Sequence, residues 1–259
     1  MIILLAESKT MASQQDEISE QEYLIHRPLL EDMADKTMAF IATLNCSQIS
    51  EMLGVSSQLS RKIINLAYEF PAKTKGNNAL HSFTGDAYRA LDASSLNRET
   101  IIRANKHLRI ISSLYGILKP DDIIKPYRLD FNKDCGPDHV NMTKYLKSKV
   151  TISLVNFIKQ TEQQEIIDLL PADASKCLDW KIIRAFSKVN KICFQTLTPA
   201  GKLRTPQAAR LKELRGKMTR FILQEDIKTF SDLINYRNDD FVYSPDDSKL
   251  GLPVFITSE

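Results

Sequence analysis

Glycine is scarce in this chain, with eight among 259 residues. None falls in a G-x-G-x-x-G or P-loop arrangement, so neither a dinucleotide turn nor a Walker-type nucleotide site is signalled. Cys46, Cys135, Cys177 and Cys193 are far apart and form no C-x-x-C pair. That argues against a zinc ribbon, a redox dithiol or a disulfide framework. Cys135 and His139 have a spacing that could serve a metal, but no second pair accompanies them, so no metal or other cofactor is assigned. No apolar run approaches the roughly 20 residues of a membrane span. The opening MIILLA is short, lacks a basic flank and meets Glu7 at once, unlike a signal peptide. The expectation is a cytoplasmic, monomeric protein with no membrane partner. Charge of one sign is also lacking: 35 Lys and Arg stand against 32 Asp and Glu, a net +3. A nucleic-acid surface would have to come from local clustering.

What remains is an ordinary globular composition, 43% hydrophobic and 26% charged. With no repeat, low-complexity tract or clear linker, the reading is one domain over residues 1–259. Ile2 to Leu5 reads as a strand buried on both faces of an α/β sheet. It emerges in Glu7-Ser8-Lys9-Thr10, where the ligands of open α/β sheets gather. Residues 12–22 read as a loop, and His26 to Leu44 as a helix. Ser47 can cap a helix that Gly54 closes, and Ser56 or Ser57 can cap a second one carrying Arg61 and Lys62. This unit, 45–69, has the look of a helix-hairpin-helix whose second N-terminus suits a DNA phosphate. A hairpin used only for packing is the other reading.

Phe70 to Asn78, with Lys73 and Lys75, reads as a basic linker, and Ala79 to Phe83 as a strand. Gly85 permits a turn after which Asp86 can cap a helix carrying Tyr88. Leu96 to His107 reads as helix and Leu108 to Ser112 as strand, with Lys144 to Ile158 helical and Glu165 to Leu169 a third core strand. Trp180 to Phe186 and Val189 to Leu197 read as an antiparallel pair. Gly201 to Arg220 is the most basic window, with one acid, Glu213. Its helical stripe (Leu211, Leu214, Met218, Phe221, Ile222) turns Lys212, Lys217 and Arg220 to solvent and holds Arg215 at the border. Asp226 to Leu233 reads as a short helix. Phe241 to Ser244 and Leu252 to Ile256 read as closing strands around a Pro-Asp-Asp-Ser turn.

The densest stretch is HLRIISSLYGILKPDDIIKPYRLDFN, from His107 to Asn132. Its two prolines disfavour helix, and between Tyr115 and Arg128 it gathers two Tyr, one Arg, two Lys and two Asp. Either tyrosine alone could simply pack the loop; the whole set points to a site. LYGILKPDDIIKPYRLD resembles the signature of the YaaA family of bacterial peroxide-stress proteins, L-Y-G-x-L-R-P-x-D-x-I-x-P-Y-R-L-E, with Lys119 and Asp130 replacing Arg and Glu. Further resemblance lies in F-x-G-D-x-Y at Phe83 to Tyr88 and in A-R-G-x-M-x-R-F-I, matched at Arg215, Gly216, Met218 and Arg220. Two segments depart. The family's S-P-A-K-T is kept only at Lys9 and Thr10, with Glu7 adding a charge, and of N-L-A-S-x-E-Y-x-K only Lys176 survives.

The resemblance implies a mixed α/β fold with a helix-hairpin-helix, a positively charged cleft, DNA binding, and a role in limiting free iron and oxidative damage under hydrogen peroxide. On this reading Lys9, Thr10, Asp86, Arg109, Arg128, Lys176, Arg215 and Arg220 face nucleic acid in the cleft. Gly54, Ser56, Ser57, Arg61 and Lys62 grip it at the hairpin, and Tyr88, Tyr115 and Tyr127 stack on unpaired bases at about 1–3 kcal/mol each. The alternative is an enzyme acting on a nucleobase, nucleotide or small anionic metabolite in the same cleft, with Asp86, Lys9 and tyrosines for acid–base work. Against it, spacing shows no nucleophile–base pair, and no catalytic residue is assigned.

Overall fold

Ile2, Ile3, Leu4 and Leu5 form β1 (Ile2–Ala6), and all four side chains are buried. A strand apolar on both faces needs neighbours at both edges and layers above and below. The computed structural model describes residues 1–12, 26–71, 76–161, 164–198, 201–235, 237–238 and 241–257. In it β1 lies between β3 (Leu108–Ser112) and β6 (Glu165–Asp168), parallel to both. The sheet is completed by β4 (Gly116–Leu118), antiparallel to β3, and β7 (Lys188–Lys191), parallel to β6. Because β1, β3 and β6 run the same way, their carboxyl ends open on one edge.

A second sheet has the order β10 (Arg237–Asn238), β11 (Phe241–Lys249), β12 (Leu252–Thr257), β8 (Cys193–Leu197), β9 (Leu203–Arg204), with only β12 and β8 parallel. The two sheets meet where Lys191 N–H donates to Gly251 O at 2.9 Å. A two-residue ladder joins β2 (Asn77–Asn78) to β5 (Ile123–Ile124). The fold is therefore mixed α/β, with sheets of mixed strand direction.

The helices follow the apolar stripes. α1 (Glu31–Ala42) packs on α3 (Ser57–Glu69), which pairs with α2 (Cys46–Leu53); α2 and α3 turn Ile49, Leu53, Ile63, Ile64 and Ala67 inward. Asn45 and Gln48 close a capping box on α2, Gly54 ends it in the left-handed region (φ +66°), and Ser56 caps α3. α4 (Ala79–Ser82), α5 (Asp86–Leu91) and α6 (Arg98–His107) lead back into β3. α7 (Met142–Thr161) lies against β4, and α8 (Ala172–Ser175) and α9 (Trp180–Ile183) follow β6. α10 (Ala208–Gln224) packs along α5, and α11 (Phe230–Leu233) precedes the last strands.

The structure corrects several expectations. Ala79 to Ser82 is helix, because the Asn78 side chain accepts from His81 N–H at 3.1 Å and caps a turn. Trp180 to Ile183 is also helix, capped by Asp179, and the strands that follow break at Ile192 into different sheets instead of pairing. Asp86 is not the cap of α5; Gly85 takes that position and Asp86 pairs with Arg89 one turn on. α1 starts at Glu31, after a turn at Pro28, and α11 starts only at Phe230. β11 continues through Pro245–Ser248 as an irregular stretch, so the chain reverses at Leu250-Gly251 instead. Residues 13–22, Lys73 and Lys75 lie outside the described residues.

Candidate functional site

At the carboxyl edge of β1 and β6 lies a cavity of about 380 Å³, within the range of small-molecule sites. The segment after β1 (Glu7, Ser8, Lys9, Thr10) lines one side, and Gly85, Asp86, Ala87 and Arg89 of α5 another. Asp130 and Phe131 come from the end of the signature loop, Leu169, Pro171 and Asp173 from beyond β6, and Lys212 and Arg215 from α10. Two glycines bring these walls together. A Cβ at Gly216 would press into the backbone carbonyl of Ala87, so α10 and α5 approach at glycine distance. A Cβ at Gly85 would meet Ser8 Oγ, which holds the Lys9-Thr10 turn by accepting from Thr10 N–H at 3.1 Å. Because that obstacle is a movable side chain, Gly85→Ala should fold, with a lower midpoint in urea corresponding to a loss of about 1 kcal/mol, within the usual range for overpacking. A wild-type midpoint would show that Ser8 does not hold the wall.

Charge in the cavity is largely neutralised in place. Lys9 pairs with Asp130, and Arg128 Nη1 donates to Lys9 O. Arg89 pairs with Asp86 and reaches Thr84 O at 3.3 Å. Arg215 differs. Among the described residues no side chain bonds its guanidinium, and burial lowers its pKa against the pull of Asp168 and Asp173. Burial likewise raises Asp168, which accepts from Leu170 N–H at 2.9 Å.

Glu7 enters the cavity from the end of β1 as part of a buried network. Its carboxyl accepts from Ser113 N–H at 2.9 Å and from Tyr127 O–H. Tyr127 O–H in turn lies 2.8 Å from Ser112 Oγ, which takes the N–H groups of Leu114 (3.1 Å) and Tyr115 (2.9 Å). Burial pushes the Glu7 carboxyl up to about 7, overriding these donors. A second carboxyl, Asp122 in the signature loop, is also raised to about 7 by burial, although Lys119 N–H donates to it at 2.8 Å.

Of the residues expected in the cleft, Lys9, Thr10, Asp86 and Arg215 do come together, and Arg128 stands behind Lys9. Six others do not line it in the expected way. Arg109 is buried on β3, its guanidinium 3.7 Å from the Phe157 ring centroid and donating to Asn105 O and Leu108 O. Arg220 clamps the end of α5 by donating to Leu91 O, Asp92 O and Ser95 Oγ, a cation at a helix C-terminus. Lys176 is exposed and not among the lining residues. Tyr88, Tyr115 and Tyr127 are buried, with rings 5.7 Å apart for the latter pair, and Tyr88 donates to Ala6 O at 3.0 Å. The tyrosines are therefore core groups, and no ring face is free for a base. At the hairpin, Gly54, Ser56, Ser57, Arg61 and Lys62 are all exposed, and Lys133 Nζ lies 3.5 Å from where a Gly54 Cβ would be.

Sequence reasoning passed over Arg89, Phe131, Asp173 and Lys212 as site groups, and noted Glu7 only as an added charge. Helical spacing carried part of the signal: Arg89 follows Asp86, and Arg215 follows Lys212, by three residues.

Fold and cavity thus define a mixed α/β protein with a cavity, lined by charged and apolar side chains, beyond the ends of parallel strands. Residues 1–247 match the family described as peroxide stress protein YaaA, and the chain belongs to that family, whose role lies in the stress response. A UPF0246 protein of Francisella tularensis subsp. novicida is 29% identical over 259 residues, covering 98% of this chain and 99% of the relative. One from Francisella philomiragia is 27% identical with the same coverage.

Proposed function

We propose that this protein binds DNA in the response to peroxide, gripping the phosphate backbone at the turn between α2 and α3. One observation carries the reading: the exposed first turn of α3, which follows Gly54 and is capped by Ser56, stands near three cations, the exposed Arg61 and Lys62 and the partly buried Lys133 beside Gly54. Backbone N–H groups with flanking cations suit a phosphate. Lys9, Arg128 and Arg215 would extend the cationic track towards the cavity. Since the tyrosines are buried, binding would rest on phosphate contacts and not on stacking. A role in limiting free iron stays with the family resemblance; among the described residues no group of three His, Cys, Asp or Glu carries it.

The test is a fluorescence-anisotropy titration of single-stranded and duplex DNA over a salt series. Affinity should fall steeply with salt, and Arg61→Ala with Lys62→Ala should weaken binding and flatten the slope by about 2. Arg128→Ala with Arg215→Ala should weaken it if the track runs into the cleft. Absence of binding at low salt would end the DNA reading, and wild-type binding by the Arg61/Lys62 variant would end the hairpin's part in it.

A further inference from the structure

The cavity holds a cation, Arg215, whose guanidinium has no hydrogen-bond or ion-pair partner among the described residues, although Asp168 and Asp173 attract it from further away. Lys9 and Arg89 are matched within the cavity by Asp130 and Asp86. Arg215 sits half-buried on α10, facing the cavity, and no described side chain accepts a hydrogen bond from its guanidinium or forms an ion pair with it. A desolvated guanidinium carries five N–H donors in a fixed fork that matches a carboxylate or phosphate, and leaving them unsatisfied is unfavourable. Lys212, one turn earlier on the same helix, also has no ion pair among the described residues. The lining also carries the apolar side chains of Phe131, Leu169 and Pro171.

We propose that this cavity binds a small organic acid, its oxyanion held by Arg215 and Lys212 and its apolar body against Phe131, Leu169 and Pro171. The site is separate from the α2–α3 turn and does not depend on the DNA reading. Glu7 makes it sensitive to pH. Its surroundings stay neutral around pH 7: Tyr127 and Ser112 with Ser113 from the β3 side, Tyr88 from α5, and Cys135 and Cys177 packed nearby. Burial pushes both tyrosines and both cysteines further from ionising. Two further carboxyl groups attract the same guanidinium, Asp173 on the wall and Asp168 on β6, and burial raises the Asp168 pKa as well. Glu7, protonated below about 7 and charged above it, therefore adds a negative charge to the cavity as pH rises. Anion binding weakens in the same direction.

Isothermal titration of the full chain with benzoate, phenyl phosphate and benzamide tests this, since the three share a ring and differ in head group. One of the two anions should bind at a single site, and which one does so identifies the head group; benzamide should bind at least tenfold more weakly. Benzoate keeps one charge from pH 6 to 8, so its affinity, or the shift in melting temperature it causes, should be several-fold greater at pH 6. Glu7→Gln should shrink that difference. Arg215→Ala should weaken the anion at least tenfold, and Arg215→Lys, which keeps charge and packing but loses the fork, should fall between. Equal binding of benzamide would reduce the site to an apolar hollow and overturn the proposal. So would failure of either anion to bind at millimolar concentration, or wild-type affinity in a folded Arg215→Lys.

Discussion

Gly216→Ala should unfold at a clearly lower urea concentration than the wild type, with a loss of about 2–3 kcal/mol. A Cβ built on Gly216 lies 2.8 Å from the Ala87 carbonyl carbon and 3.0 Å from Ala87 Cα, closer still to the oxygen. All three atoms are backbone, so no side chain can rotate away, and α10 must move off α5. Overpacking of this kind costs about 1–3 kcal/mol, more where main chain shifts. Alanine's better helix propensity returns about 1 kcal/mol at most. The displaced helix also carries Lys212 and Arg215, so the cavity should widen and anion binding fall with stability. A midpoint equal to or above the wild type would show that the two helices do not approach at glycine distance.

The same contact shows what could and could not be read from the sequence. The buried strands were legible because β1 and β3 are apolar on both faces, and only a two-sided core accommodates that. α7 and α10 were legible from their stripes. Short elements were not. Trp180 to Ile183 carries strand-forming residues, and Ala79 to Ser82 is too short to show a helical period, yet side-chain caps from Asn78 and Asp179 decide for a single helical turn in each. The site was legible by half. Loop position at a strand end marked Lys9 and Thr10, but a charge count cannot separate cations that the fold uses internally from those left free. Arg109 and Arg220 satisfy main-chain carbonyls, while Arg215 does not. The tyrosines misled for a related reason: dense aromatics in a loop are as useful for burying that loop as for binding a ligand.

Glu7→Gln should make the protein more stable at pH 8 by about 2–3 kcal/mol while leaving it nearly unchanged at pH 4. Glu7 ionises near 4.5 when exposed and at about 7 in the folded chain. Between those values the folded state binds more protons than the unfolded state, so stability falls as pH rises. The contribution is fully present below 4.5 and lost above 7; a shift of this size corresponds to about 3 kcal/mol, less what the open side of the cavity screens. Glutamine keeps an oxygen for Ser113 N–H and Tyr127 O–H and has no charge to bury. Asp122 titrates over the same window, so wild type alone would mix two slopes. Urea midpoints of both proteins from pH 4 to 8 isolate Glu7 in their difference, because Asp122 is common to both and cancels. A difference that stays flat with pH would mean that Glu7 is ionised like a surface carboxylate. A difference that opens between pH 5 and 7 would mean that this chain carries a destabilising carboxylate on the wall of its cavity, where the YaaA pattern has an uncharged residue.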